Sequence, residues 1–203
     1  MKITVPQEKV NSFKEEKIMH SGKLVCAVSI ALLFLAPAVS AEEIYIRNGF
    51  WGGIDAGAGL LKPSFEEGDN EDDIAFYLGF KGGYTVNPNL LIGLEVGGWL
   101  LEASDLNDPD EGKGISQVFL ITQLYPGKES GLFAKAGGGY VSMWSNRSDD
   151  TRRKQGWGLT VGGGYDIKVN ETVALSPFVN FDYGEAGNWD YTAITFGLGV
   201  TFP

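Results

Sequence analysis

From Phe50 onward the chain alternates between bulky apolar side chains and a second set made of glycines, charged residues and small polar residues. A period of two places successive side chains on opposite faces of a β-strand. The pattern recurs in segments of about 10–13 residues, and a tilted barrel strand needs roughly 9–11 residues to cross a bilayer. We therefore predict eight strands, at residues 50–61, 75–87, 90–101, 115–125, 131–143, 156–168, 173–183 and 191–202.

The charged members of the pattern decide which face meets lipid. Six of them lie on the less apolar face: Asp55, Lys81, Glu95, Lys135, Asp166 and Asp182. A lysine facing the middle of a bilayer costs roughly 2–4 kcal/mol, whereas a soluble eight-stranded barrel would turn its apolar side chains inward. We predict an all-β, eight-stranded antiparallel up-and-down transmembrane β-barrel whose lumen holds these six charges as an ion-pair network.

The fourth strand is ambiguous because both of its faces carry large apolar residues, and we assign the face with Gln117 and Gln123 to the lumen. Most glycines also belong to the lumen set. The lumen of an eight-stranded barrel is just wide enough for side chains to fill. The glycines would therefore either leave small water cavities or accommodate the rings of Trp99, Phe119, Phe133 and Phe178. Other aromatic residues near strand ends suit interfacial girdles, namely Trp144, Trp157, Trp189, Tyr125 and Tyr183.

The predicted connections alternate in length. Those after odd-numbered strands are long and charged, at roughly 62–74, 102–114, 144–155 and 184–190. Those after even-numbered strands are short, as at Asn87-Pro88-Asn89. Bacterial barrels combine short periplasmic turns with longer external loops, so this alternation favours an outer-membrane barrel over a soluble one.

The N-terminus resembles a secretory signal. Lysines precede a short apolar run from Leu24 to Leu35, and Val39 and Ala41 occupy the small-residue positions of a cleavage site. The run is too short for a good membrane anchor, which needs about 20 apolar residues. We expect residues 1–41 to be a cleaved signal peptide, with Met19 an alternative start, and residues 42–203 to be the barrel domain.

Composition limits the chemistry. The formal net charge of −10 argues against a nucleic-acid partner, since nucleic acid is itself strongly negative. The only cysteine, Cys26, and the only histidine, His20, lie in the predicted signal peptide. Histidine is the group best tuned to transfer protons near neutral pH, so we expect no enzyme activity and assign no catalytic, cofactor or metal site. The acidic loops lack the spaced calcium-loop pattern and are interpreted as solvated.

The third predicted loop differs in sign from the first two because basic residues dominate it. Basic side chains at an outer rim pair well with phosphate. We predict two alternatives of similar weight, a solvated mixed-charge loop or contact with lipopolysaccharide. The residues concerned are Arg147, Arg152, Arg153 and Lys154.

Over residues 48–203 the chain resembles the small outer-membrane β-barrel family that includes OmpX, Ail and the transmembrane part of OmpA. The resemblance rests on Phe50-Trp51-Gly52-Gly53, Tyr125-Pro126, the segments 131–140 and 156–166, and the closing Thr195-Phe196-Gly197-Leu198-Gly199-Val200-Thr201-Phe202. It implies export to the cell outer membrane of a Gram-negative bacterium and insertion by the barrel assembly machinery. That machinery reads an aromatic-ended last strand, which Phe202 supplies, although Pro203 follows where the family usually ends on the aromatic.

Two functions from different classes fit this sequence. The first is a structural or surface-interaction role through charged external loops, with outer-membrane lipid, lipopolysaccharide and a surface or host ligand as partners. The alternative is a narrow pore for small solutes or ions, which the inward glycines favour. A lipid-modifying barrel enzyme fits less well. One barrel fold supports many roles, so the choice between these functions depends on the structure of the lumen and of the rim.

Overall fold

The computed structural model describes residues 47–64, 73–102, 112–128, 130–147 and 150–202. The predicted signal peptide, residues 1–41, lies outside them. The strands are β1 (Gly49–Ser64), β2 (Asp73–Asn87), β3 (Leu90–Glu102), β4 (Gly112–Leu124), β5 (Leu132–Arg147), β6 (Asp150–Tyr165), β7 (Ile167–Asn170), β8 (Val173–Ala186) and β9 (Trp189–Phe202). No described residue is helical, and the described part of the chain therefore contains no helix that could span a membrane.

The strands close into a single antiparallel barrel. Each of β1 to β5 pairs with the next strand, β8 pairs with β9, and β9 pairs with β1. β6 and β7 both pair with β8, and only Asp166 separates them, so they act as one interrupted strand. The nine segments thus form an eight-stranded barrel, in which β6 and β7 together make one strand. The predicted fold class is confirmed.

Side chains alternate between lipid-facing and buried positions, as the sequence pattern predicts. On β4, Leu120 is 60% exposed whereas Phe119 and Ile121 are fully buried. This confirms that the glutamine face of β4 points inward. The buried set forms one core along the barrel axis, comprising Trp51, Leu61, Tyr77, Leu91, Trp99, Ile115, Phe119, Ile121, Tyr125, Phe133, Val141, Met143, Phe178, Trp189 and Tyr191 among its larger members.

The two ends of the barrel differ. At one, which we call the turn end, β1 begins, β9 finishes and the short connections at 88–89, 125–131 and 171–172 lie. The opposite end, which we call the loop end, carries the other four connections. The first two of these connections, residues 65–72 and 103–111, lie outside the described residues, and the third and fourth are not the long loops that we predicted. β5 ends at Arg147 and β6 begins at Asp150, so only two residues separate these strands. Residues 187–188 alone join β8 to β9.

The prediction of long third and fourth loops was wrong because it assumed that a strand ends where the sequence becomes polar. Backbone pairing continues through it, from Trp144↔Arg153 up to Arg147↔Asp150 in the hairpin of β5 and β6. Ladder hydrogen bonds need no lipid-facing apolar side chains. Polarity therefore marks where a strand leaves the apolar layer and does not mark where it ends.

Candidate functional site: the packed lumen and its rim

The middle of the lumen holds two buried ion pairs. Lys135 Nζ lies 2.7 Å from Oε2 of Glu95 and 3.0 Å from its Oε1. Lys81 Nζ lies 2.9 Å from Oδ1 of Asp55. All four side chains are almost inaccessible to solvent. In a low-dielectric lumen, each charge needs its partner to offset the cost of leaving water.

Polar neighbours complete this middle layer. The Tyr77 hydroxyl donates to Oε1 of Glu95 at 3.2 Å. With its amide oriented to satisfy both ends, Asn180 accepts from Lys135 Nζ at 3.0 Å. Asp182 and Thr160 face each other across the ladder of β6 and β8 and are both buried. The layer therefore gathers three carboxylates and two ammonium groups among hydroxyl and amide groups.

Aromatic rings close the lumen on the loop-end side of this layer. The Trp99 ring lies between those of Tyr77 and Tyr191, with centroid distances of 5.2 and 5.5 Å. Trp99 Nε1 donates to Thr195 Oγ1 at 3.3 Å, and the Tyr191 hydroxyl donates to Gln117 at 3.2 Å. These hydrogen bonds satisfy the polar tips of the rings, as buried Trp and Tyr require. We call these three rings, of Tyr77, Trp99 and Tyr191, the Trp99 plug. Ring contacts pack them together, and the hydrogen bonds fix their orientation.

A second polar layer closes the turn end. Arg47, which precedes β1, stacks over the Tyr125 ring at 3.5 Å and donates to the carbonyls of Lys128 and Ser130 at 3.3 and 2.7 Å. The Tyr125 hydroxyl donates to Oδ2 of Asp166 at 2.8 Å. Ser176 donates to the other oxygen of Asp166 at 2.7 Å and also contacts Thr201 of the last strand. The layer links the chain ahead of β1 to the turn between β4 and β5 and to β8 and β9.

Glycines make room for these rings. A Cβ atom added at Gly97 would lie 2.7 Å from the hydroxyl of Tyr77, and one at Gly164 would lie 2.7 Å from the ring of Phe133. Gly197 is likewise in direct contact with the Phe178 ring. The sequence left open whether the lumen glycines accommodate aromatic rings or leave small water cavities. At these positions they accommodate rings.

The aromatic residues near strand ends divide between the two faces. Trp157 and Tyr183 face outward, with ring centroids 5.9 Å apart, as a girdle pair. Trp189 and Tyr125 are buried, which contradicts their assignment to a girdle. Their alternation places them inward, and both lie close to a cation, the Lys154 ammonium at 5.8 Å from the Trp189 ring and Arg47 over Tyr125. At the turn end, Phe50 and Tyr84 form a further outward pair.

The structure places the predicted charges as follows. Asp55, Lys81, Glu95, Lys135, Asp166 and Asp182 are all buried in the lumen. It brings the first four together as two ion pairs, leaves Asp182 beside them and separates Asp166 into the turn-end layer.

Of the four basic residues of the predicted third loop, the three whose side chains are described do not share one face. All belong to strands, Arg147 to β5 and the others to β6. Arg153 is exposed on the same parity as lipid-facing Trp157, and its Nε donates to Ser142 at 2.8 Å. Arg152 and Lys154 have the opposite parity. The side chain of Arg147 lies outside the described residues.

Sequence reasoning missed Arg47. It precedes the first strand and therefore carries no periodic signal. One signal was present, since a lone arginine next to a lumen with an excess of carboxylates is a natural counter-charge. The contact between Tyr77 and Glu95 was not foreseen either, because periodicity gives the face of a residue and not its partner.

Comparison with known proteins agrees with this architecture. The outer membrane protein beta-barrel domain family matches residues 27–202. The chain belongs to this family. No curated protein matches it.

Two solved structures show the same fold at low sequence identity. Neisserial surface protein A has a TM-score of 0.56 and 14% identity, with 76% of this chain and 96% of that protein covered. Ail, the attachment invasion locus protein of Yersinia pestis, has a TM-score of 0.52 and 11% identity, with 77% of this chain and 100% of Ail covered. A complex of Ail with the heparin analogue sucrose octasulfate aligns similarly, with a TM-score of 0.51, 11% identity and coverage of 76% and 99%. The chain is thus a small outer-membrane β-barrel.

Proposed function

We propose that this barrel does not conduct solutes and acts at the bacterial surface, through its loop end and the lipid-facing belt beneath it. One observation carries the proposal: buried side chains fill the lumen in three successive layers. Arg47 and Tyr125 close the turn end, the ion pairs of Lys81 and Lys135 fill the middle, and the Trp99 plug lies beyond them. A packed lumen supports a role outside the barrel.

The wall of the barrel rises unevenly at the loop end. Pairing between β6 and β8 begins at Trp157↔Glu185, although β6 itself begins at Asp150. Within the described strands, residues 150–156 therefore pair only with β5. The other edge of residues 150–155 has no ladder partner among the described strands, and unpaired strand edges favour contact with further polypeptide. This geometry supports a protein or peptide ligand at the rim.

Lipopolysaccharide is the second partner that we propose, and Arg153 is the residue that best fits it. Arg153 and Trp157 share the outer face and are separated by four residues, or about 13 Å along a strand. A strand tilted by 35–45° converts this to about 10 Å along the membrane normal. Because Trp157 and Tyr183 mark the edge of the apolar layer, Arg153 stands at the height of lipid phosphates.

We also propose how the protein is exported and assembled. We propose that residues 1–41 direct secretion and are removed, and that the barrel assembly machinery recognises the last strand through Phe202. In the structure Phe202 faces outward at the turn end of β9 and pairs with Gly52. This position leaves its ring available before the barrel closes. We further propose that the protein is not an enzyme, so purified barrel should not turn over phospholipid or lipopolysaccharide.

Planar-bilayer recording tests the closed lumen. The protein is purified from outer membranes of an expressing Gram-negative host, and a heat-shift gel verifies that it is folded. We expect an electrically silent barrel. Steady, reproducible openings would overturn the proposal in favour of the narrow pore, and Lys81, Glu95 and Lys135 would then be the residues to exchange for selectivity.

Co-purification tests the lipid partner. Lipopolysaccharide that remains with the barrel after detergent extraction is measured for the native protein and for Arg153→Gln. A basic residue near an anionic surface contributes about 1 kcal/mol, so we expect a decrease of roughly fivefold. Lys128→Gln is the matched control, since it removes one exposed cation at the turn end. Equal retention in all three proteins would argue against Arg153 as a contact.

A further inference from the structure

The outer face of β4, β5 and β6 carries a patch of polar and aromatic side chains near the loop end. Three successive outward rows of the ladder define this outer patch, from the apolar belt upward: Tyr140 and Trp157; Ser116, Ser142 and Gln155; Gly114, Trp144 and Arg153. Rings lie in the first and third rows, and polar side chains lie between them. Acyl chains offer no hydrogen bonds to such side chains, so the outer patch suits the headgroup region above the belt.

Arg153 is held in place by the neighbouring strand. Its Nε donates to Oγ of Ser142 at 2.8 Å. Ser142 faces outward by its position in the ladder, yet it is fully buried, because the Arg153 side chain lies over it. The guanidinium itself is exposed. Because Nε makes the bond to Ser142, the two Nη groups remain as a fork, which is the geometry that grips a phosphate through two hydrogen bonds.

The Trp144 ring lies beside this guanidinium. Trp144 is directly opposite Arg153 in the ladder of β5 and β6. A Cβ added at Gly114 would lie 2.5 Å from Cζ2 of Trp144 and 2.9 Å from its Nε1. The indole therefore lies across the glycine of β4, against the wall of the barrel, and is only partly exposed. An amphipathic ring of this kind suits the membrane interface.

The position and chemistry of the outer patch define its ligand. Arg153 stands at the height of lipid phosphates, and the exposed Ser116 and Gln155 lie one row below it. Their hydroxyl and amide groups can exchange hydrogen bonds with sugar hydroxyls, which both donate and accept. A headgroup that carries phosphate and hydroxyl groups side by side therefore matches the outer patch. The phosphorylated amino sugars of lipopolysaccharide have this chemistry.

We propose that the outer patch is a binding site for the phosphorylated sugar headgroup of one lipopolysaccharide molecule. The fork of Arg153 binds a phosphate, and the Trp144 ring packs against the sugar. Ser142 is a positioning residue, because it acts by holding Arg153 beside that ring. The inference rests on the lipopolysaccharide partner proposed above and adds the site and the sugar to it. A phosphate-bearing lipid without a sugar satisfies Arg153 alone.

Native mass spectrometry of the barrel in detergent tests this proposal. Protein purified from outer membranes is washed free of lipid, and a heat-shift gel verifies that it is folded. It is then mixed with equal amounts of bisphosphorylated lipid A and phosphatidic acid, which give complexes of different mass. A net hydrogen bond corresponds to roughly a fivefold factor in binding, so bound lipid A should exceed bound phosphatidic acid by about fivefold or more.

Three variants separate the parts of the site. Trp144→Leu removes the ring, and Ser142→Ala releases the guanidinium while keeping its charge. Each should lower the ratio of bound lipid A to bound phosphatidic acid by roughly threefold to fivefold. A role of Ser142 in stability alone would leave this ratio unchanged. Arg153→Gln should weaken both complexes, because both lipids need the phosphate contact.

Two variants serve as matched controls. Tyr84→Leu removes an outward ring at the turn end, and Ser64→Ala removes an outward hydroxyl at the loop end of β1. Both should keep the native ratio. A heat-shift gel on every variant separates loss of binding from loss of the fold.

Three results would overturn the proposal. If native protein binds both lipids alike, the outer patch does not recognise a sugar, although contact with lipopolysaccharide through charge still stands. If Trp144→Leu and Ser142→Ala keep the native ratio while Arg153→Gln weakens both complexes, the contact is again one of charge alone. If native protein binds neither lipid, both the headgroup site and the lipopolysaccharide partner are wrong.

Discussion

Lys81 lies directly opposite Glu95 in the ladder of β2 and β3, yet its ammonium pairs with Asp55 of β1, while Glu95 pairs with Lys135 of β5. The two ion pairs of the lumen therefore do not join residues that are directly opposite each other in the ladder. Strand tilt moves inward side chains diagonally past their ladder partners, and the Tyr77 hydroxyl engages Glu95 from the same layer. The charges therefore behave as a connected network whose members have defined partners.

Removing one member of a pair should cost more than removing both. Lys135→Met leaves Glu95 buried without its cation, and such breakage typically costs 3–5 kcal/mol, about 4 in the centre of the range. The double variant Lys135→Met, Glu95→Gln removes both charges and should recover much of that loss. Urea unfolding of the barrel in detergent gives the free energies. A coupling energy near zero in this cycle would contradict a paired network.

The lumen glycines should tolerate no added methyl group where a ring contacts them. Gly97→Ala places a Cβ 2.7 Å from the Tyr77 hydroxyl, and overpacking of this kind costs about 1–3 kcal/mol. Gly52→Ala is the matched control, because its Cβ would face lipid with its nearest neighbour 3.6 Å away. We expect the control to stay within about 0.5 kcal/mol of the native protein. Equal losses in the two variants would point to strand propensity and not to packing.

Arg47 should stabilise the turn end. Arg47→Ala removes two hydrogen bonds to carbonyls and the stacking on Tyr125, which together should be worth about 1–3 kcal/mol. We expect a lower unfolding free energy and faster proteolysis in the turn after β4. Lys128→Ala tests charge alone at the same turn, since the carbonyl that accepts from Arg47 is kept. If both variants behave alike, the Arg47 contacts contribute nothing specific.

The sequence was sufficient for the fold and for the two faces of the barrel. Period-two alternation divides each strand into two faces. Only one choice of the lipid-facing side keeps charged residues such as Glu95 and Lys135 out of the lipid. Even β4 was oriented correctly from Gln117 and Gln123. These inferences succeed because the face of a strand residue depends only on parity, a local property of the sequence.

What depends on three-dimensional geometry was not predictable. Ion-pair choice depends on strand tilt, as Lys81 and Glu95 show. The lengths of the third and fourth loops depend on where backbone pairing stops, and polar residues such as Arg152 continue a ladder as well as apolar ones. Trp189 was assigned to a girdle because tryptophan near a strand end suits an interface, but parity and the nearby Lys154 place it in the lumen.

Fluorescence quenching by lipid can separate the two faces directly. Trp157 is 49% exposed on the outer surface, whereas Trp99 is 1% exposed in the plug. Variants are prepared that retain only one of these tryptophans, with the others exchanged for phenylalanine, and each is inserted into vesicles whose acyl chains are brominated. Bromine quenches a ring that it contacts, so Trp157 should lose most of its emission and Trp99 little. Quenching of Trp157 should be strongest with bromine near the headgroups, because Trp157 and Tyr183 pair at the edge of the apolar layer. Strong quenching of Trp99 with weak quenching of Trp157 would mean that the faces are reversed, as in a soluble barrel with an apolar interior.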